Sequence, residues 1–131
     1  MARPRAKELT ERELEIMQVF WDHGEQTAQD VRDRLAADGR DLAYTTVATL
    51  VRILLEKQFV TQTNVERPFR YQPARSFEEV SGNLVQDLLS RVFGGSAEKL
   101  MVSLLERKRL TKKERDALRR ILEETSENGT R

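Results

Sequence analysis

Residues 41–58, DLAYTTVATLVRILLEKQ, are the stretch that most restricts the fold. Val47, Leu50, Val51 and Leu54 recur at i, i+3, i+4 and i+7, the spacing of one buried helical stripe. Thr45, Thr46, Ala48, Thr49 and Arg52 fall on the opposite face. That face carries short hydroxyls, a methyl and one guanidinium, and no carboxylate. Such a face can lie against something flat and negative. The major groove of DNA admits a helix and offers base edges to Thr and Arg. An ordinary surface helix of a small bundle fits the same pattern, so the flanking sequence must decide between the two.

Composition narrows the choice. The chain has 131 residues, enough for one domain with an appendage. A third of the residues are charged, yet the formal net charge is only +1, which excludes a uniformly basic coat. If nucleic acid is the partner, positive charge has to be local. There is no cysteine and a single histidine, His23, which leaves little for a nucleophilic triad or a metal site. We therefore expect no enzymatic activity, no metal and no cofactor. No apolar run approaches the roughly 18 residues of a membrane span, and the N-terminus lacks a secretory h-region. The expectation is a soluble cytoplasmic protein with no membrane insertion.

In chain order, residues 1–8 (Arg3, Pro4, Arg5 and Lys7 among them) read as a solvated arm. Thr10 and Glu13 form a capping box that opens a helix running to about Asp22. Leu14, Met17, Phe20 and Trp21 are its expected apolar stripe, and Trp21 reads as core. His23, before Gly24, is placed to meet the last carbonyls of that helix. Thr27 caps a second helix over 28–37, with Ala28, Val31 and Leu35 facing inward and Asp38-Gly39 as its stop. The third helix is the opening stretch, whose expected N-cap, Ala43, has no side-chain acceptor. Residues 59–63 and 69–72 alternate in polarity around a turn-prone loop at 64–68, which reads as a hairpin. Phe59, Val60, Phe69 and Tyr71 are expected to face the helices, with Arg67 and Arg70 near the tip. Residues 72–76 read as a linker. Beyond it come helix 4 (Phe77, Val80, Leu84, Leu88 and Val92), a Gly94-Gly95 turn, helix 5 over 97–108 capped by Ser96, and helix 6 opened by a Thr111–Glu114 capping box. The basic run Arg107-Lys108-Arg109, with Lys112-Lys113, reads as a solvated junction, and 125–131 as a frayed tail.

Three helices followed by a hairpin is the order of a winged helix-turn-helix, in which helices 2 and 3 form the reading unit. The expected fold class is mainly α with a small β-hairpin: a winged helix-turn-helix domain over 1–75 and a C-terminal helical dimerisation domain over 76–131. Between Arg40 and Arg75 there are six basic and three acidic residues, whereas over 1–75 the two signs cancel. Positive charge thus concentrates on helix 3 and the hairpin, as a DNA footprint requires. The excess is small, so a single copy should bind weakly and with strong salt dependence. The C-terminal helices carry more apolar surface than they can cover among themselves, which favours a two-fold dimer. Its expected interface is Val80, Leu84, Leu88, Val92, Leu100, Leu104, Leu118, Ile121 and Leu122. A dimer would set two reading helices on the half-sites of a palindrome. A winged-helix module that binds protein instead of DNA would use the same fold.

Four segments carry a resemblance: LTERELEIMQVFWDHGEQTAQDV, YTTVATLVRILLEKQFV, ERPFRYQP and LTKKERDALRRILEE. Together, over residues 9–124, the chain resembles the penicillinase repressor family, the BlaI/MecI transcriptional regulators. The resemblance implies a sequence-specific DNA-binding repressor, a homodimer on a palindromic operator of double-stranded DNA. It implies base reading by Tyr44, Thr45, Thr46 and Thr49. It implies backbone contacts from Arg52, Arg67 and Arg70; to these the amide end of helix 2 at Thr27 and Ala28 is added as an expected phosphate site. In many members a membrane sensor-protease gives the signal for cleavage within the C-terminal domain. The matching position here is Ser103-Leu104, where characterised members carry Asn-Phe, a departure from the family's pattern that bears on that mode of control.

Overall fold

Hydroxyl side chains set the helix starts. In the computed structural model, which describes residues 8–107 and 110–128 (the last four by backbone alone), the order is α1 (Glu11–His23), β1 (Gln26–Thr27), α2 (Ala28–Ala37), α3 (Tyr44–Glu56), β2 (Val60–Gln62), β3 (Arg70–Pro73), α4 (Phe77–Val92), α5 (Ala97–Glu106) and α6 (Lys112–Asn128). Thr10, Thr27, Ser76, Ser96 and Thr111 each accept a hydrogen bond from the amide three residues on, and so cap α1, α2, α4, α5 and α6. Glu13, Asp30 and Glu114 reach back to complete capping boxes on three of them. Among the described helices, only α3 starts without a side-chain cap. The arm residues Arg3, Arg5 and Lys7, the basic pair Lys108-Arg109 and the last three residues lie outside the described residues. The frayed tail expected from Thr125 is helical backbone as far as Asn128.

α2 and α3 end in the same way. Arg40 N–H donates to Leu35 O at 2.8 Å and Gly39 N–H to Ala36 O at 3.0 Å. At the end of α3, Phe59 N–H donates to Leu54 O at 2.9 Å and Gln58 N–H to Leu55 O at 3.0 Å. Both are Schellman closures, which need a left-handed residue one step past the cap. Gly39 (φ 92°) fills that position on α2 without penalty, whereas on α3 it is Gln58, at φ 69°. The α3 closure turns the chain sharply, so that Phe59 is buried beside Leu54 and Val60 starts β2.

The core lies under α1, α2, α3 and the sheet. Ile16, Met17, Phe20, Val31, Val47, Val51 and Leu54 are essentially inaccessible to water. The α1 stripe is rotated from the expected one. Ile16, Met17, Val19 and Phe20 are buried, while Leu14 and Trp21 sit half-buried on its flank. Trp21 uses its position twice: its indole N–H donates to Arg75 O at 2.9 Å, and its ring meets Phe77 edge-on at 5.4 Å. His23 does not close α1 with its imidazole; Gly24 N–H does, on Phe20 O, and the His23 Nδ1 sits 3.0 Å from Arg34 Nη1.

The hairpin is joined by a third strand. The sheet order is β1-β3-β2, antiparallel throughout, with Thr27 opposite Arg70 and Gln62 opposite Tyr71. Pro73 lies opposite Val60, beyond the end of β1, where β3 has a neighbour on one side only and the missing N–H is harmless. Segment 72–76, expected as a linker, is held in place instead. Ala74 N–H bonds Phe59 O at 2.8 Å, Arg75 O accepts from Trp21, and the Arg75 guanidinium stacks 4.9 Å from the Phe59 ring.

The chain separates into two compact units between Val80 and Ser81, within α4. Val80 is 7% exposed and belongs to the first unit's core, so it is withdrawn from the expected dimer face. In the second unit α5 and α6 pack on each other, with Arg115 Nη1 donating to Leu105 O at 2.9 Å. No described residue beyond Val80 is buried. Leu84, Leu88, Val92, Leu104 and Ile121 remain at least 40% exposed, and Leu100, Leu118 and Leu122 are half-buried.

Candidate nucleic-acid interface

α3 presents Tyr44, Thr45, Thr49 and Arg52 to solvent, with Thr46 half-buried at its flank. This outcome follows from the period of the sequence, because the buried Val47, Val51 and Leu54 hold the opposite face. The first turn contains no acid and has no side-chain cap. Its leading amides therefore have no intrahelical acceptor, and the positive end of the helix dipole is open.

A groove runs beside this face. It is lined by Thr27, Ala28 and Gln29 at the start of α2, by Tyr44, Ala48, Thr49, Arg52 and Leu55 on α3, and by Gln62, Arg67, Pro68, Phe69 and Tyr71 from the wing. Of the expected DNA-contacting residues, Thr27, Ala28, Tyr44, Thr49, Arg52 and Arg67 meet here. Thr45, Thr46 and Arg70 are not in its lining. Thr27 and Ala28 are themselves buried, so only their backbone amides are suited to a phosphate. Asp30 already occupies the Thr27 amide. Gln29, exposed at the second helical position of α2, was not singled out from the sequence; standing two residues past a Thr cap was the available signal.

The wing is prefolded. Asn64 spans it, donating from Nδ2 to Glu66 O at 2.9 Å and Pro68 O at 3.2 Å and accepting from Arg70 N–H at 2.7 Å. Arg67 stacks 5.2 Å from the Phe69 ring centre and has no ion-pair partner among the described residues. Tyr71 packs under the groove, where burial, then the neighbouring Tyr44, push its phenol pKa up. It is neutral at physiological pH, available as donor and acceptor.

The positive excess of this region is less free than a residue count implies. Arg40 is held by Glu15 through two bonds, one of 2.9 Å. Lys57 Nζ lies 2.9 Å from Glu13 Oε1, and Arg70 Nε 3.0 Å from Glu25 Oε2. Arg75 faces Glu79 at 3.7 Å and Arg52 faces Glu56 at 3.5 Å. Four of these five carboxylates lie outside residues 40–75, where the excess was counted.

Comparison with known proteins agrees with this geometry. The sequence pattern of the penicillinase repressor family matches residues 9–124. The chain is 38% identical over 114 residues to the transcriptional regulator BlaI of Mycobacterium tuberculosis (strain ATCC 25618 / H37Rv), covering 86% of this chain and 80% of that one. It is 23% identical over 115 residues to the methicillin resistance regulatory protein MecI of Mammaliicoccus sciuri, covering 88% of this chain and 93% of the relative. A 26% identical relative, an uncharacterised 16.5 kDa protein of Latilactobacillus sakei, is covered over 78% of its length. No helix among the described residues is long and apolar enough to cross a membrane. The chain belongs to the penicillinase repressor family, whose members are DNA-binding transcriptional regulators and not enzymes.

Proposed function

We propose that the protein is a cytoplasmic homodimeric repressor that lays α3 in the major groove of a palindromic operator. The observation that carries this reading is α3 itself. It is the one described helix without a side-chain cap, its first turn is free of acid, and it lies beside the wing's Arg67. In this reading Tyr44, Thr45, Thr46 and Thr49 read base edges. Arg52, Arg67 and the Ala28 amide at the start of α2 meet phosphates, which position the helix without specifying sequence, while Thr27, expected in that set, has its amide taken by Asp30. Arg70 enters the expected backbone set with its charge already engaged by Glu25.

Dimerisation is assigned to the second unit. Leu84, Leu88 and Val92 of α4, Leu100 and Leu104 of α5, and Leu118, Ile121 and Leu122 of α6 leave apolar surface that the described residues of the second unit do not cover. A second copy covers it by symmetry. Proteolytic control by a membrane sensor-protease rests on the family resemblance alone. Ser103 and Leu104 lie inside α5, which has no buried residue, so local opening of that helix is the step such cleavage requires.

Two substitutions test the reading in one binding series. Thr46→Ala should narrow the affinity gap between an operator and a scrambled duplex. Arg67→Ala should weaken both alike and lower the salt slope by about one. Unchanged operator preference in Thr46→Ala would remove base reading by that residue.

A further inference from the structure

Glu25 stands just before β1, two residues ahead of Thr27, at the seam where the start of α2 meets the wing. Its Oε2 accepts from Thr63 Oγ1 at 2.9 Å and from Arg70 Nε at 3.0 Å. One carboxylate oxygen thus ties the residue before β1 to β3 at Arg70 and to Thr63, just past the end of β2. Arg70 is fixed at its backbone as well, by Asn64 Oδ1 at 2.7 Å. The two wing arginines are therefore unlike. Arg67 stacks on Phe69, lines the groove and has no acid partner among the described residues, whereas Arg70 stands outside the groove lining and faces a carboxylate.

We propose that Glu25 is a counter-charge built into the DNA-binding face, one that cancels Arg70 and sets an upper limit on the protein's affinity for DNA of any sequence. The inference rests on the DNA-binding reading above. A phosphate approaching this seam meets a neutral pair. If Arg70 left Glu25 to reach the phosphate, it would leave an unpaired carboxylate within a Debye length of the backbone. Phosphate attraction on the wing then falls to Arg67. A moderate non-specific term favours a repressor that must let go of random sites, since non-specific binding is almost wholly electrostatic.

The test uses the full chain, a duplex that the wild-type protein selects from a random pool, and its scrambled counterpart, titrated over a salt series. Glu25→Gln removes the charge and keeps an acceptor for Thr63 and Arg70. It should bind both duplexes more tightly, with a salt slope steeper by about 0.9 for the phosphate contact that Arg70 gains. Arg70→Gln should bind both more weakly. The double variant should bind like wild type, because it removes the pair and leaves the net charge unchanged. Thr63→Ala takes away only the hydroxyl's bond and should leave the slope as it is. Glu25→Gln binding no tighter than wild type, the double variant binding as weakly as Arg70→Gln, or Thr63→Ala steepening the slope as much as Glu25→Gln would each overturn the proposal. Wild-type chain that binds neither duplex in a salt-dependent way would instead overturn the DNA-binding reading beneath it.

Discussion

The two units of this chain spend similar apolar sequence very differently. In the first, Ile16, Met17, Phe20 and Leu54 are fully out of water, each adding about 1.5–3 kcal/mol of burial. In the second, Leu84 is 49% exposed and Ile121 45%, although their helices show equally clean stripes. A stripe in sequence promises burial somewhere; whether the same chain provides the cover is a separate matter. The first unit closes on itself because α1, α2, α3 and the sheet approach from different directions, with long-range ties at Trp21–Arg75 and Glu13–Lys57. The second has helices alone, and α5 and α6 cover each other only in part. The difference teaches that the first unit's stability is a property of one chain, whereas under the proposed dimer the second's would be a property of concentration.

The sharpest way to break that contrast is a core truncation. Phe20→Ala should cost the first unit about 3–5 kcal/mol, by the loss of a fully buried ring and the cavity left behind. Chemical unfolding followed by Trp21 fluorescence reads it, and the loss should not vary with protein concentration. Next in size is Glu13→Ala. It removes both the reach-back half of the α1 capping box and the partner of Lys57, and should cost about 2–3 kcal/mol. Leu88→Asp should leave the first unit's transition where it is and shift the chain from dimer to monomer in sedimentation. A loss of Trp21-reported stability as large as that of Phe20→Ala would show that the units are not independent.

Two smaller effects sharpen the picture of the first unit. Gln58→Gly should raise stability by about 0.5–1 kcal/mol, since a side chain now occupies the left-handed position that closes α3. A fall in melting temperature would contradict that. Glu15 gives the smallest signal. Hydrogen bonding from Arg40 holds its carboxyl below the ordinary value of 4.5. A depressed carboxyl contributes stability that is present above its unfolded pKa and is lost as pH falls through the folded one. Glu15→Gln should therefore lower stability slightly at neutral pH, where the exposed pair contributes, and converge with wild type as the pH falls below about 4.5.

Much of this architecture was legible in residues. Caps at Thr10, Thr27, Ser96 and Thr111 mark helix starts with a local chemistry that needs no tertiary context. The period of 47, 50, 51 and 54 likewise places the outer face of α3. What escaped has a physical reason in each case. β1 is two polar residues, Gln26 and Thr27, too short for any alternation to register, and it exists because β3 offers an edge. Val80 continues the α4 stripe without a break, so nothing local reveals that its first turn packs on a different core from the rest. The pairing of charge on the candidate DNA face was hidden for a similar reason. Glu13, Glu15 and Glu25 lie 44, 25 and 45 residues from their basic partners, and only the folded chain brings them together. The groove was half visible: Thr49, Arg52 and Arg67 could be named in advance, while Gln62 and Tyr71 enter it through the sheet register and Gln29 through the first turn of α2.

The central claim is that α3 reads bases and that a second copy, joined through the second unit, doubles the reading. Selection of bound duplexes from a random pool by the full-length chain tests both halves at once. The account predicts enrichment of an inverted repeat, its half-sites centred about one or two helical turns apart. A pool that stays unenriched, or that converges on one unrepeated element, would contradict it.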